Sequence, residues 1–238
     1  MKIALIGYGK MGKAIEEIAV KRGHEIVLKI DEDNLNDFTK ENISKADVAI
    51  EFTGPHSAYE NVKKALGFDI PLVCGSTGWL DNMEDAKNLC KERNGSFIYS
   101  SNFSVGVNIF FEVNKRLAEL ITAHDDYEPQ VTEIHHTTKK DAPSGTAITI
   151  AEQILEINKR KKSWVNHITD SADELEILSE RIDPAAGTHK VKYSSAIDDI
   201  EIIHTAHSRQ GFALGAVLAA EFIKTRKGCF SMKDVLGL

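Results

Sequence analysis

The sequence predicts an α/β protein in two parts. The N-terminal domain is built on a parallel sheet, and a second, smaller α+β domain carries a mixed open sheet. Three observations carry this expectation. The N-terminal part alternates short apolar runs with stretches of helical periodicity. A glycine-rich turn follows the first apolar run directly. Beyond Asp125 the pattern changes to strands gathered around one helix.

The first five strands are expected at Ile3–Ile6, Ile26–Ile30, Val48–Phe52, Ile70–Cys74 and Phe97–Tyr99. Each is rich in Ile and Val and bounded by Gly, Pro, Asp or Asn. Helical spacing lies between them, as in Met11, Ile15, Ile18 and Ala19. Such alternation implies right-handed crossovers and a sheet covered on both faces. An amphipathic stretch, Val107 to Ile121, leads out of this domain. Val131–His135, Glu174–Arg181, His189–Ser195 and Ile200–His207 read as strands, and Thr146–Lys159 as a helix. The last helix, Phe212 to Lys224, is expected to pack back on the first domain. The expected boundaries are 1–106 for the first domain, completed by 209–238, and 107–208 for the second. The second sheet would leave one face open, which makes self-association plausible. Lys159–Lys162 reads as a solvated helix end.

Composition narrows the function classes. The formal net charge is −7, which argues against nucleic acid or an anionic membrane as partner. No run is apolar and long enough to span a bilayer, and no signal peptide is read at the N-terminus, so a cytoplasmic location is expected. Cys74, Cys90 and Cys229 show no paired spacing, so they read as reduced, mostly packed thiols, with neither a disulfide framework nor a metal site.

Gly7-Tyr8-Gly9-Lys10-Met11-Gly12 matches G-x-G-x-x-G between a predicted strand and a predicted helix. Gly7 permits the turn, Gly9 lets the backbone approach a pyrophosphate, and Gly12 allows close helix–strand packing. The free N–H groups of the helix start add a positive dipole end. This is the signature of a Rossmann-type dinucleotide site. Asp31 ends the second strand, where a carboxylate accepts hydrogen bonds from a ribose; an acidic cap is the competing reading. Glu32 and Asp33 follow, so a 2′-phosphate meets repulsion and NADH is favoured. NADPH stays open through Lys10, Lys13 or Lys29. Small polar residues recur at three further strand ends: Phe52-Thr53-Gly54-Pro55, Gly75-Ser76-Thr77-Gly78 and Ser100-Ser101-Asn102-Phe103. They suit backbone approach to the nicotinamide half of a cofactor.

The stretch from His135 to Ala147 joins a strand to a helix. Ser144, Gly145 and Thr146 open that helix, and their N–H and hydroxyl groups can hold a carboxylate or simply cap it. His135 and His136 are adjacent and face opposite sides of a strand. Lys139 stands close to both, and a buried lysine there could deliver a proton. Arg209, at the start of the last helix, is a secondary candidate for anion contact.

The run Glu133-Ile134-His135-His136-Thr137-Thr138-Lys139-Lys140-Asp141-Ala142-Pro143-Ser144-Gly145-Thr146-Ala147 resembles the hallmark of the 4-hydroxy-tetrahydrodipicolinate reductase (dihydrodipicolinate reductase) family. The Gly7–Gly12 loop, Gly75–Gly78, Asn102–Asn108 and Arg209–Gly215 also match, in order, across most of the chain. The resemblance implies NAD(P)H-dependent reduction of a cyclic dicarboxylate in lysine and diaminopimelate biosynthesis. It implies His135 as proton donor and Lys139 as its acid–base partner. It implies substrate contacts from His136, Ser144, Gly145 and Thr146. Cofactor contacts are implied for Gly7, Tyr8, Gly9, Lys10, Met11, Gly12, Asp31, Gly75, Ser76, Thr77, Ser100, Ser101, Asn102 and Phe103. It further implies a homotetramer built through the second-domain sheets. Four positions depart from the family pattern: Glu51 for Asp, Ser76 for Thr, Ser100-Ser101 for a more apolar pair, and Glu32 for an arginine seen in some members.

Two rivals are weaker. A semialdehyde dehydrogenase needs a cysteine nucleophile poised by histidine, and neither Cys74 nor Cys90 has that setting. A non-catalytic NADH sensor would keep the glycine loop but has no need for His135, Lys139 and an anion pocket together.

Overall fold

The computed structural model describes residues 1–238. The chain divides into two compact units, Met1–Val105 with Arg209–Leu238, and Gly106–Ser208. The first begins with β1 (Lys2–Ile6), α1 (Lys10–Lys21), β2 (Glu25–Ile30), α2 (Lys40–Ile43), β3 (Val48–Glu51), α3 (Ala58–Gly67), β4 (Leu72–Cys74), α4 (Met83–Glu92) and β5 (Ser96–Tyr99). The second contains α5 (Val105–Ile121, entered at its first residue), β6 (Glu128–His135), α6 (Gly145–Ile157), β7 (Ser163–Val165), β8 (Glu174–Arg181), β9 (Thr188–Ser194) and β10 (Asp199–Thr205). The chain returns to the first unit with α7 (Gln210–Ile223), β11 (Gly228–Phe230) and α8 (Met232–Leu236).

The six strands of the first unit lie in the order β11-β5-β4-β3-β1-β2, all parallel. Successive side chains point to opposite faces, and both faces are covered. Ile3, Leu5, Val48, Ile50, Val73 and Ile98 pack with Ile15 and Ala19 of α1 and with Ala213, Ala216, Val217 and Ala220 of α7. Ala4, Ile6, Ala49, Leu72, Cys74 and Phe97 pack with Val62, Ala65 and Leu66 of α3 and with Ala86 and Cys90 of α4. That is why these strands read as unbroken apolar runs rather than as alternation. The sheet presents the ends of β1, β2 and β3 along one edge, where the glycine loop sits.

The five strands of the second unit run β10-β9-β6-β8-β7. β6 is parallel to β8 and antiparallel to β9, so the sheet is mixed. One face buries Val131, Leu175, Ile177, Val191 and Tyr193 under Ile150, Ala151 and Ile154 of α6 and Phe110 and Ala118 of α5. The other carries polar pairs such as Lys190–Glu201 at 2.6 Å and Gln130–Glu176 at 2.6 Å, with Ile203 57% exposed among them. The α/β architecture and its smaller mixed-sheet partner are those that the sequence predicts.

The differences are local. β4 starts at Leu72, because Pro71 has no N–H for the ladder and Asp69 turns the chain at φ 63°. β7 and β11, three residues each, were not expected; runs that short carry no periodicity. Lys159–Lys162 is not a solvated helix end. α6 stops at Ile157, and the Lys161 side chain, only 6% exposed, donates to the Ala172 carbonyl at 2.9 Å and pairs with Glu128 at 2.8 Å. Cys229 is exposed rather than packed.

Candidate active site

The turn from β1 into α1 needs glycine for steric reasons at two of its three positions. Gly7 has φ +92°, and a Cβ there would lie 2.2 Å from the Phe52 carbonyl oxygen. A Cβ at Gly12 would meet the Gly7 carbonyl at 2.3 Å. Gly9 differs: nothing lies within 4 Å of its Cβ position. Gly9 also caps α1 with no side-chain hydrogen bond, and the first turn holds no acidic residue. The loop therefore closes on itself at Gly7 and Gly12 and opens outward at Gly9, which fits a pyrophosphate approaching the helix start. A cavity of about 510 Å³ adjoins it, lined among others by Gly7, Gly9, Asp31, Glu32, Thr53 and His56. Asp31 lines this cavity and also caps the 3₁₀ turn Glu32–Asp37, in a reciprocal box with Asn34.

Lys29, open as a phosphate contact by sequence, is paired with Glu16. Its ammonium lies 2.7 Å from Glu16 and 3.1 Å from the Tyr8 hydroxyl, and it covers the Tyr8 ring at 4.5 Å. The Glu16 contact is the main reason its pKa is raised. Tyr8 in turn hydrogen-bonds Glu16.

The neighbouring strand ends are tied together by Glu51, fully buried at the end of β3. Its carboxylate accepts from the Thr53 N–H at 2.9 Å, the Ser76 hydroxyl at 2.9 Å, the Cys74 thiol at 2.9 Å and the Thr53 hydroxyl. Ser76 also accepts from the Thr53 N–H at 2.8 Å. At the next strand end, Ser100 donates to the Asn102 carbonyl at 2.7 Å, and Asn102 accepts from the Ser104 N–H at 2.9 Å. Phe103 is core, 5.7 Å from the Phe52 ring. The side chains of Ser76, Asn102 and Phe103 thus hold loop shape and leave backbone for any ligand contact. Of the expected cofactor residues, Gly7, Gly9 and Asp31 line the cavity; Tyr8, Lys10, Met11, Gly12, Gly75–Thr77 and Ser100–Phe103 do not.

In the second unit, a chain of contacts joins the titratable residues. His135 closes β6, and its Nδ1 faces the carboxylate of Glu133, two residues back on the same strand face. Glu133 is fully buried and pairs with Arg181 at 2.9 Å. Arg181 donates to the Asp141 carbonyl at 2.6 Å, and both Asp141 carboxylate oxygens accept from Lys139 at 2.8 Å. On the other side, the His135 ring meets His189 edge-on at 5.2 Å, and His189 Nε2 lies 3.2 Å from the Ser144 hydroxyl. Ser144 accepts from the Ala147 N–H at 3.2 Å, capping α6. Gly145 follows at the helix start with open space at its Cβ position. His136 leaves the strand and pairs with Thr138 at 2.7 Å.

The electrostatics follow from these partners. Burial would raise the Glu133 pKa, but contacts from His135, Ser179 and Arg181 outweigh it and hold the carboxyl down to about 2. Burial, helped by the charge of His135, pushes His189 down to about 3, so it stays neutral. Lys139 holds Asp141 below the ordinary carboxylate range. An anionic Glu133 beside Nδ1 favours the tautomer with the proton there, leaving the lone pair on Nε2. Gly187 (φ +150°) sits against that atom: a Cβ would lie 3.0 Å from Nε2.

Sequence reasoning missed Arg181, His189 and Gly187, and quoted Glu133 only as part of a motif. Arg181 and His189 fall in strands whose pattern reads as plain inward alternation. Only pairing β8 and β9 against β6 brings them to His135: Arg181 is its register partner, and His189 is opposite Glu133.

A parallel-sheet nucleotide unit and a separate unit bearing a carboxylate-oriented histidine define a nucleotide-dependent oxidoreductase. Models of the family "Dihydrodipicolinate reductase, N-terminus" match residues 1–103, and "Dihydrodipicolinate reductase, C-terminus" residues 106–236. The chain is 51% identical to the 4-hydroxy-tetrahydrodipicolinate reductase of Christiangramia forsetii, over 99% of this chain and 98% of the relative. It is 35% identical to that of Methanocaldococcus jannaschii, over 98% and 81% respectively. The solved dipicolinate-bound dihydrodipicolinate reductase of Paenisporosarcina sp. TG-14 shares the fold, with TM-score 0.77 over 97% of each chain at 23% identity. The chain belongs to the dihydrodipicolinate reductase family. It is an oxidoreductase that works with a pyridine nucleotide.

Proposed function

We propose that this chain reduces 4-hydroxy-tetrahydrodipicolinate to tetrahydrodipicolinate, with His135 supplying the proton. The observation that carries the chemistry is the Glu133–His135 contact, which leaves Nε2 beside Gly187. The nicotinamide, when bound, supplies the hydride to the ring, whose 4-hydroxyl leaves as water. His135 Nε2 holds a proton for the carbanion or enamine that develops, and Lys139 restores it. The start of α6 at Gly145 and Thr146 receives one substrate carboxylate, and His136 and Ser144 shape that end of the site. The Ser144 hydroxyl, already engaged with Ala147 and His189, acts chiefly by holding this helix start in place.

The Gly7–Gly12 loop and Asp31 hold the adenosine half of the cofactor. The backbone of Gly75–Thr77 and Ser100–Phe103 borders its nicotinamide half. NADH is the preferred form: Asp31 and Glu32 both line the adenosine cavity, and Lys29 is committed to Glu16. The open face of the second sheet pairs with other copies in a homotetramer; Ile203, exposed on the edge strand β10, supports this. The test is a steady-state assay of both dinucleotides against synthase-generated substrate. Oxidation of NADH with a higher kcat/KM than NADPH is expected. No oxidation with either would overturn the substrate, and a preference for NADPH would overturn the cofactor reading alone.

A further inference from the structure

We infer that Cys90 and Cys229 form a peroxide-sensitive dithiol, a site of reversible disulfide modification in the first unit. The two cysteines are far apart in sequence, and the fold brings them together. Cys90 lies on α4, fully buried, and Cys229 is the central, exposed residue of β11. The Cys90 thiol lies 3.8 Å from the carbonyl of Gly228, the residue before Cys229, and Cys229 borders Met83 and Lys87 of the same helix. β11 is the edge strand of its sheet, so its outer side is not covered by another strand. Cys229 also lines a cavity of about 320 Å³ with Lys87, Met83 and Phe97, wide enough for a small oxidant.

The surroundings divide the labour between the two sulfurs. The neighbouring Cys90 thiol, with the charge of Lys87, pulls the Cys229 thiol down to about 7 against its burial. Cys229, with burial, pushes Cys90 up, so it keeps its proton. Cys229 is thus the nucleophile and Cys90 the resolving thiol, the arrangement found where thiols sense oxidants. The Cys229 thiolate attacks a peroxide oxygen; the S–O bond forms, the O–O bond breaks, and hydroxide leaves, taking a proton to become water. The Cys90 sulfur then attacks the resulting sulfenic sulfur. The S–S bond forms, the S–O bond breaks, and hydroxide leaves with the Cys90 proton as a second water. The two sulfurs lose two electrons in all, and the peroxide gains them. Cys74 is an internal control: it is buried, donates to Glu51 at 2.9 Å, and is held protonated by burial.

The experiment is hydrogen peroxide treatment of the whole protein, followed by counting free thiols and mapping peptides by mass. The wild type should fall from its three thiols to one, with a Cys90–Cys229 linked peptide that dithiothreitol reverses. Cys229→Ser, an exposed change, should keep both remaining thiols under the same treatment. Cys90→Ser should instead trap a sulfenic acid at Cys229, read with dimedone. Three intact thiols in the wild type would overturn the inference. So would over-oxidation of Cys229 beside a free Cys90, or a link between Cys229 residues of two molecules.

Discussion

At the scale of single residues, the centre of the second unit is an anion holding a ring. Glu133 keeps its charge in a fully buried position because His135 and Arg181 both reach it. An unpaired buried carboxylate would be costly, so each partner secures the other two. Gly187, having no Cβ, packs directly against Nε2. Gly187→Ala should cost about 1–3 kcal/mol, from the positive φ and the 3.0 Å contact with the ring. It should lower kcat while leaving the KM for NADH near its wild-type value. Thermal melts and steady-state kinetics check both effects, and an alanine variant with full kcat would show that the ring does not work through Nε2.

At the scale of elements, the site depends on how strand ends are tied. Glu51 gathers the ends of β3 and β4 through four donors. Glu51→Gln replaces an acceptor by a donor facing those groups, at a cost of about 1–3 kcal/mol. Because Thr53 borders the cavity beside the glycine loop, the proposed dinucleotide site, the KM for NADH should rise more than kcat falls. An unchanged KM would separate Glu51 from the cofactor. The same elements show what the sequence could disclose. The glycine loop was legible because strand, loop and helix are contiguous and Gly7 and Gly12 have local steric reasons. The long strands were legible from apolar runs or alternation. β7 and β11 were not, being too short for any period. Arg181, His189 and the Cys90–Cys229 pair were not, because strand register and helix packing bring them to their partners. Lys161 was misread because a lysine in a basic run gives no local sign that a distant carboxylate and carbonyl receive it.

At the scale of the molecule, the buried groups of the second unit set an acid limit on stability. His189 is held neutral, with its pKa down at about 3, whereas the unfolded chain protonates near the ordinary histidine value of 6.5. Below 6.5 the unfolded state therefore binds more protons, and stability falls as pH falls toward 3. At one pH unit below the unfolded value the cost is about 1.4 kcal/mol. Glu133, depressed to about 2, adds a second loss as pH falls through the range from 4.5 downward. Melting temperature should drop between pH 7 and 5, and His189→Gln should flatten that slope even where it lowers stability throughout. A variant with the wild-type slope would remove His189 from the acid response. The open face of the mixed sheet belongs to the same scale: its polar pairs and exposed Ile203 are what the proposed tetramer would cover.

The assignment of His135 is tested most directly by the kcat of His135→Gln with NADH and synthase-generated substrate. Glutamine retains bulk and a donor to Glu133 but cannot hold and release a proton at Nε2. A fall in kcat of about 10²- to 10⁴-fold, with dinucleotide binding retained, is the expected result. A variant turning over at the wild-type rate would contradict it and leave the carboxylate-oriented ring as a purely structural feature.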